Sequence, residues 1–213
     1  MRVRFNKDAN NILNSSNIYM NEEEAKKNIG KWKKTFENEN DIYLEIGIGK
    51  GDFIVGMAKK YPNINFIGIE KNETILAIAL NKIITEGLEN VIVISNNADQ
   101  LKEVFEESEI DKIFLNFSDP WSKKKHVKRR LTYSSFLDIY EYILKDDGNI
   151  EFKTDNQILF EFTIMEVCNT NRIMEYISLD LHSTDCTDNV MTEYERKFSE
   201  RGNRIYKLVW KNK

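Results

Sequence analysis

Apolar residues along this chain fall into short β-rich runs and longer stretches with helical spacing, and the two kinds alternate. Residues 42–46 (Ile-Tyr-Leu-Glu-Ile), 65–69, 91–95, 111–117 and 148–153 each read as a strand, as do 173–179 and 204–210 near the C-terminus. Helices are predicted over 52–60, 73–86, 98–107, 133–144 and 155–168. In the second of these, Ile75, Leu76, Ala79 and Ile83 share one face. The last is preceded by Thr154-Asp155-Asn156-Gln157, a capping-box pattern. Strands separated by helices of this length predict an α/β domain with a doubly wound, mostly parallel, seven-stranded sheet covered by helices on both faces. Residues 1–40 are polar, with a helix expected over 22–36. The expected organisation is an N-terminal helical extension (1–40) followed by one domain (41–213), with no repeat or low-complexity linker.

Composition agrees with a folded domain: 41% of the 213 residues are hydrophobic and 11% aromatic. No signal-peptide pattern is present, and no apolar stretch approaches the ~20 residues needed to span a bilayer. A cytoplasmic protein without a membrane partner is expected. Cys168, Cys186, His126 and His182 lack metal-ligand spacing, so no metal is expected and the thiols read as reduced.

Charge sharpens the picture at one place. The chain carries 31 Lys+Arg against 35 Asp+Glu, yet six of the basic residues lie between Lys123 and Arg130. Without them the balance is 25 against 35, a net of −10. A chain acidic almost everywhere except one block points to a single docking surface for a polyanion. That block directly follows the apolar run ending at Phe117, through Ser118-Asp119-Pro120-Trp121.

Doubly wound sheets bind ligands beyond the carboxyl ends of their strands. At the first strand end lies Glu45-Ile46-Gly47-Ile48-Gly49-Lys50-Gly51. Glycines at alternate positions let the backbone bend sharply against a ligand. The third glycine comes one residue too early for the dinucleotide pattern G-x-G-x-x-G. With an acid inside the preceding strand, the spacing suits S-adenosyl-L-methionine better than a pyrophosphate, because Glu45 can take an ammonium group and would repel a diphosphate. Glu70 ends the second strand, where a carboxylate can accept from both ribose hydroxyls. Asn97 follows the third strand and can meet an adenine edge, with Asp99 as its rival. Asp119-Pro120-Trp121 supplies a carboxylate, a stiff turn and an indole, a candidate reaction centre. Thr192-Glu193-Tyr194-Glu195 reads either as an exposed helix start or as two acids placed to accept from the N1–H and N2–H₂ edge of guanine.

Taken in order, Glu45 to Gly51, Phe117-Ser-Asp-Pro-Trp121 with Lys123 to Arg130, Phe152-Lys-Thr-Asp-Asn156, and Thr192 to Glu195 with Lys197-Phe198 resemble the bacterial tRNA (guanine-N7-)-methyltransferases over nearly the whole chain. The resemblance implies a class I, Rossmann-like methyltransferase fold, S-adenosyl-L-methionine as donor, and tRNA as partner, methylated at N7 of guanine 46 in the variable loop. It implies a cofactor side lined by Glu45, Gly47, Gly49, Gly51, Glu70, Asn97 and Asp119, with Asp119 catalytic. Lys123, Asp155, Thr192, Glu193, Tyr194 and Glu195 would contact the substrate, and Lys125, His126, Val127, Lys128, Arg129 and Arg130 would lie along the RNA. The chain departs from the family at Ser122, usually Pro, and at Asn97, often Asp. A nicotinamide-dependent oxidoreductase and an RNA-binding module without catalysis are the rival readings; monomer and homodimer both stay open.

Overall fold

The protein is described by a computed structural model covering residues 7–170, 172–184 and 187–213; Arg2, Arg4 and Cys186 lie outside the described residues. One sheet organises the chain. Strands β2 (Ile42–Ile46), β3 (Asn65–Ile69), β4 (Val91–Ile94), β5 (Ile110–Asn116) and β6 (Leu144–Thr154) pair in parallel, in the order β4-β3-β2-β5-β6. Beyond β6, the strands β8 (Tyr206–Asn212) and β7 (Arg172–Ser178) continue the sheet antiparallel. These are the seven expected strands, with ends shifted by a few residues. Among the described residues the sheet nevertheless has eight, because a two-residue strand β1 (Tyr19–Met20) from the N-terminal segment adds in parallel to β4.

Strands β3 and β4 are buried throughout, as apolar strands covered on both faces should be. Alternate side chains therefore feed two separate cores. On one face Phe66, Val91, Val93 and Phe114 pack under α1 (Ala9–Asn14), α4 (Asp52–Lys60) and α5 (Glu73–Thr85). On the other face Leu44, Ile67, Ile92 and Ile113 pack under α6 (Ser134–Ile143) and α7 (Gln157–Cys168).

Three helical expectations need correction. The helix expected over 22–36 is two short ones, α2 (Glu22–Lys26) and α3 (Trp32–Thr35). Between them Gly30 takes a φ of 67°, and a Cβ there would run into the Glu106 carboxylate. Trp32, completely buried, then anchors α3 through Nε1–H donated to Val104 O at 2.9 Å. Residues 98–103 form a 3₁₀ helix where an α-helix to 107 was expected. Helix α7 starts at Gln157, not Asp155, because Asn156 is the cap: its side chain accepts from Leu159 N–H at 2.8 Å. The Thr154-based capping box does not form.

Strand order reverses between β2, whose chain runs on through β3 to β4, and β5 on its other side. The chain leaving the carboxyl end of β2 therefore runs to one face of the sheet and that leaving β5 to the other, with a cleft between them.

Candidate active site

The Gly-rich turn leaves β2 at this cleft. Gly47 and Ile48 N–H groups donate to Ile69 O at 2.7 and 3.1 Å, tying the turn to the end of β3. Gly47, Gly49 and Gly51 all have positive φ (79°, 54° and 80°), a region costly for any residue with a Cβ. Their surroundings differ. A Cβ at Gly51 would come within 2.8 Å of the Ala79 Cβ, so this glycine lets α4 approach α5 and does not line the cleft. A Cβ at Gly47 or Gly49 would meet nothing within 4 Å, because both border open space.

That space is two adjoining cavities. The larger, about 700 Å³, is lined by Gly47, Glu70, Asn96, Asn97, Asp99, Phe117, Asp119, Trp121, Lys128 and Arg129 among others. The smaller, about 190 Å³, is lined by Glu45, Gly47, Gly49, Phe117 and the start of α8 (Glu193–Ser199) with its cap Thr192. Gly47, Asn116 and Phe117 border both.

Glu45 sits beneath the junction, 3% exposed. Its Oε1 accepts from Asn116 Nδ2 at 2.9 Å, while Oε2 is buried without a partner among the described residues. Burial pushes the carboxyl pKa up to about 8, against the Asn116 hydrogen bond and the positive charge of Lys153, which favour the ionised form. Glu70 accepts from Gly49 N–H at 3.3 Å and from Asn72 N–H at 3.0 Å, so the second strand end is fastened to the first turn. Asn97 and Asp99 both line the larger cavity. Beside them, at the same strand end and lining the same cavity, stands Asn96. It is 4% exposed; its Oδ1 accepts from Asn97 N–H at 2.6 Å, and its Nδ2 has no partner among the described residues.

After β5 the chain turns through two strained residues, Phe117 (φ 51°) and Trp121 (φ 41°), flanking Asp119. No hydrogen bond or ion pair holds the Asp119 carboxylate among the described residues; it stands at the cavity wall. Trp121 is held edge-on by His126, ring centroids 5.5 Å apart, and from its face by the Arg129 guanidinium at 5.0 Å.

The basic segment is a short 3₁₀ helix (Lys124–Arg129). Lys123, Lys124, Lys125, Lys128 and Arg129 are exposed, His126 and Val127 half-buried. Arg130 departs from the expectation that it lies along RNA. It is 5% exposed, its Nε–H donates to Pro120 O at 2.9 Å, and its guanidinium lies 4.4 Å from the Phe162 ring centre. Burial lowers its pKa. Its place is under the Asp-Pro-Trp turn, bracing it from inside.

The Thr192–Glu195 stretch divides in the same way. Thr192 caps α8, accepting from Glu195 N–H at 2.8 Å. Glu193 reaches across the Gly-rich turn to Lys50 Nζ at 2.8 Å. The Tyr194 ring lies 5.1 Å from Phe117, and its hydroxyl donates to Asp155 at 3.5 Å; burial, then the Asp155 charge, hold that hydroxyl's pKa above its ordinary value. Glu195, expected at the substrate, is fully buried and paired with Lys153 at 2.7 Å.

Residues 39–208 match the model of a family described as "Putative methyltransferase". The chain is 52% identical over 190 residues to the tRNA (guanine-N(7)-)-methyltransferase of Geobacillus sp. (strain WCH70), covering 89% of this chain and 85% of that one. The chain belongs to the tRNA (guanine-N7-)-methyltransferase family.

Solved structures agree on the fold of this family member. An antibiotic-related methyltransferase superposes with a TM-score of 0.63 at 19% identity, over 84% of this chain and 92% of its own. A SAM-dependent O-methyltransferase from Thermotoga maritima superposes with a TM-score of 0.55 at 16% identity, over 100% of this chain and 67% of its own. The family's donor is S-adenosylmethionine, and the cleft fits it. The cleft offers a Gly47–Gly49 cradle that a Cβ would narrow, an orphaned carboxylate oxygen on Glu45 and an orphaned amide on Asn96. No helix among the described residues is long and apolar enough to cross a membrane.

Proposed function

We propose that this protein is a cytoplasmic enzyme that methylates N7 of guanine 46 in the tRNA variable loop. The 52% identity to the Geobacillus enzyme carries this reading. It is supported by a cleft that places Asp119, a carboxylate without a partner among the described residues, beside a run of exposed cations.

When bound, S-adenosylmethionine supplies an electrophilic methyl group on a sulfonium. Guanine N7 already carries a lone pair, so no residue has to remove a proton before attack. Transfer of that methyl would leave positive charge on the purine. The tasks left to the chain are alignment and electrostatic stabilisation. Glu45 takes the donor's ammonium and Glu70 its ribose hydroxyls, with Asn97 or Asp99 toward the adenine. Asp119 faces the charge that grows on guanine. Lys123, Asp155 and Tyr194 bound the base, and Lys125, Lys128 and Arg129 grip the RNA. Mass spectrometry of unmodified tRNA incubated with enzyme and methyl-labelled donor tests the reading. Label at N7 of guanine 46 supports it, and unlabelled tRNA overturns it.

Two predictions concern the donor side. The first is linkage at Glu45. Between its ordinary value of 4.5 and its folded value of about 8, the folded protein holds a proton that the unfolded chain releases. The Glu45 contribution to stability therefore falls as pH rises through that window. Binding an ammonium requires the ionised form, so S-adenosylhomocysteine should bind more tightly as pH rises from 6 to 8, releasing a proton, and level off above. Calorimetry in buffers of different ionisation enthalpy measures that proton. A pH-independent affinity would remove Glu45 from the ammonium site.

The second separates the glycines. Gly49→Ala and Gly51→Ala both pay about 1 kcal/mol or more for a Cβ at positive φ. Only Gly51→Ala also collides with Ala79, so it should lower Tm the more. Gly49→Ala should instead weaken S-adenosylhomocysteine binding about 10-fold, roughly 1.4 kcal/mol. Equal affinities in wild type and Gly49→Ala would count against the cradle.

A further inference from the structure

A chain of polar contacts runs behind the smaller cavity. Lys153, on β6, is completely buried, and all three ammonium protons are used: Nζ donates to Glu195 Oε2 at 2.7 Å, Val190 O at 2.9 Å and Asn189 Oδ1 at 3.0 Å. Glu195, on α8, is equally buried. Its Oε1 accepts from Asn189 Nδ2 at 2.6 Å and lies 3.2 Å from His182 Nε2. Both carboxylate oxygens are therefore occupied. Glu195 lines neither cavity, whereas Thr192, Glu193 and Tyr194 line the smaller one. The next residue back on the same helix, Tyr194, points the other way, to Phe117 and Asp155.

We propose that Lys153 and Glu195 are positioning residues. They act on the reaction only through α8, fixing its rotation and height on the sheet so that Tyr194 is held against Phe117 and Asp155. Neither touches substrate. The inference rests on the methyl-transfer reading above. The physical case is that α8 has seven residues, too few to hold its own geometry. Apolar packing alone is non-directional, whereas this ammonium and carboxylate make directional bonds to α8, to β6 and to residues 189–190. A buried ion pair adds little net stability compared with apolar residues of like volume, but breaking one side of it is costly. Such a pair in this place serves geometry more than stability.

The test is a double-mutant cycle with Glu195→Gln and Lys153→Met, assayed well below each Tm. Each single variant should lower kcat on tRNA about 100-fold, the cost of misplacing a reacting group by about 1 Å. The double variant should be no worse than the poorer single, as for residues that act as a unit. S-adenosylhomocysteine affinity should stay within about 2-fold throughout, roughly 0.4 kcal/mol. Hydrogen exchange over 187–199 should quicken in both singles, a readout that stands whether or not tRNA is the substrate. Losses that multiply in the double variant would mean that Glu195 contacts substrate independently, and would overturn the proposal. So would wild-type kcat in the folded singles, which would make the pair purely structural. If the singles do not fold, the apolar pair Lys153→Met with Glu195→Leu should restore Tm without restoring kcat; wild-type turnover in that pair also overturns the proposal. A wild-type protein with no activity on tRNA would instead overturn the functional reading.

Discussion

Asp119→Ala should lower kcat for tRNA methylation by about 1000-fold or more, the upper end of what removing one preorganised electrostatic group costs, while Tm barely moves. The two halves of that expectation have separate grounds. Stability should hold because the carboxylate has no partner among the described residues; removing such a group usually changes stability by within about 0.5 kcal/mol. The turn that carries it is held by other contacts: Phe117 N–H to Lys153 O at 2.8 Å, and Arg130 Nε–H to Pro120 O at 2.9 Å. Activity should fall because an acid left unpaired between two strained residues has no evident structural use. Strain of this kind persists where the surrounding structure over-determines it, commonly at reactive sites. Binding and rate separate two roles for Asp119. If it orients the donor, S-adenosylhomocysteine affinity falls together with kcat. If it faces the purine, affinity is retained and only turnover is lost. Near-wild-type turnover at saturating tRNA and donor would remove Asp119 from the mechanism altogether.

The parts of this site that were legible in the chain are those written locally. Strand β2 is a short apolar run closed by glycines, and the Asp-Pro-Trp turn abuts a block of cations, so the residues alone place both at strand ends. Glu45 stood out because an acid within an apolar strand has few reasons to be there, and it lies against the cleft. What was not legible depended on contacts distant in sequence. Lys153 and Glu195 are 42 residues apart, and nothing in a run of Glu, Tyr and Glu marks which acid turns inward. Arg130 is one of six cations in eight residues, yet it alone of them is buried, because Pro120 O and the Phe162 ring wait beneath it. Gly51 matched the expected glycine pattern for a reason internal to the fold, the approach of Ala79. Tyr19–Met20 was hidden because a two-residue strand is too short to show a period.

The buried Arg130 also makes the proposed RNA-binding surface testable with an internal control. Replacing Lys125, Lys128 and Arg129 together by Ala removes three exposed cations, none of them in an ion pair among the described residues. Each phosphate contact contributes about 0.7–0.9 to the slope of log K against log salt, so the slope for tRNA should flatten by about 2 to 3, and affinity near physiological salt should fall on the order of 100-fold. Donor affinity should change little, unless the loss of Arg129 from the face of Trp121 lets that indole move. Arg130→Ala should behave in the opposite way. It deletes the hydrogen bond to Pro120 and the contact with Phe162, so Tm should drop by several degrees, as expected for about 1–3 kcal/mol, while the salt slope stays at its wild-type value. The contrast holds only if charge on the surface and charge beneath the turn do different work. A triple variant with an unchanged slope would place the docking surface elsewhere on the molecule. An Arg130→Ala protein with full stability and a flattened slope would return that arginine to the RNA.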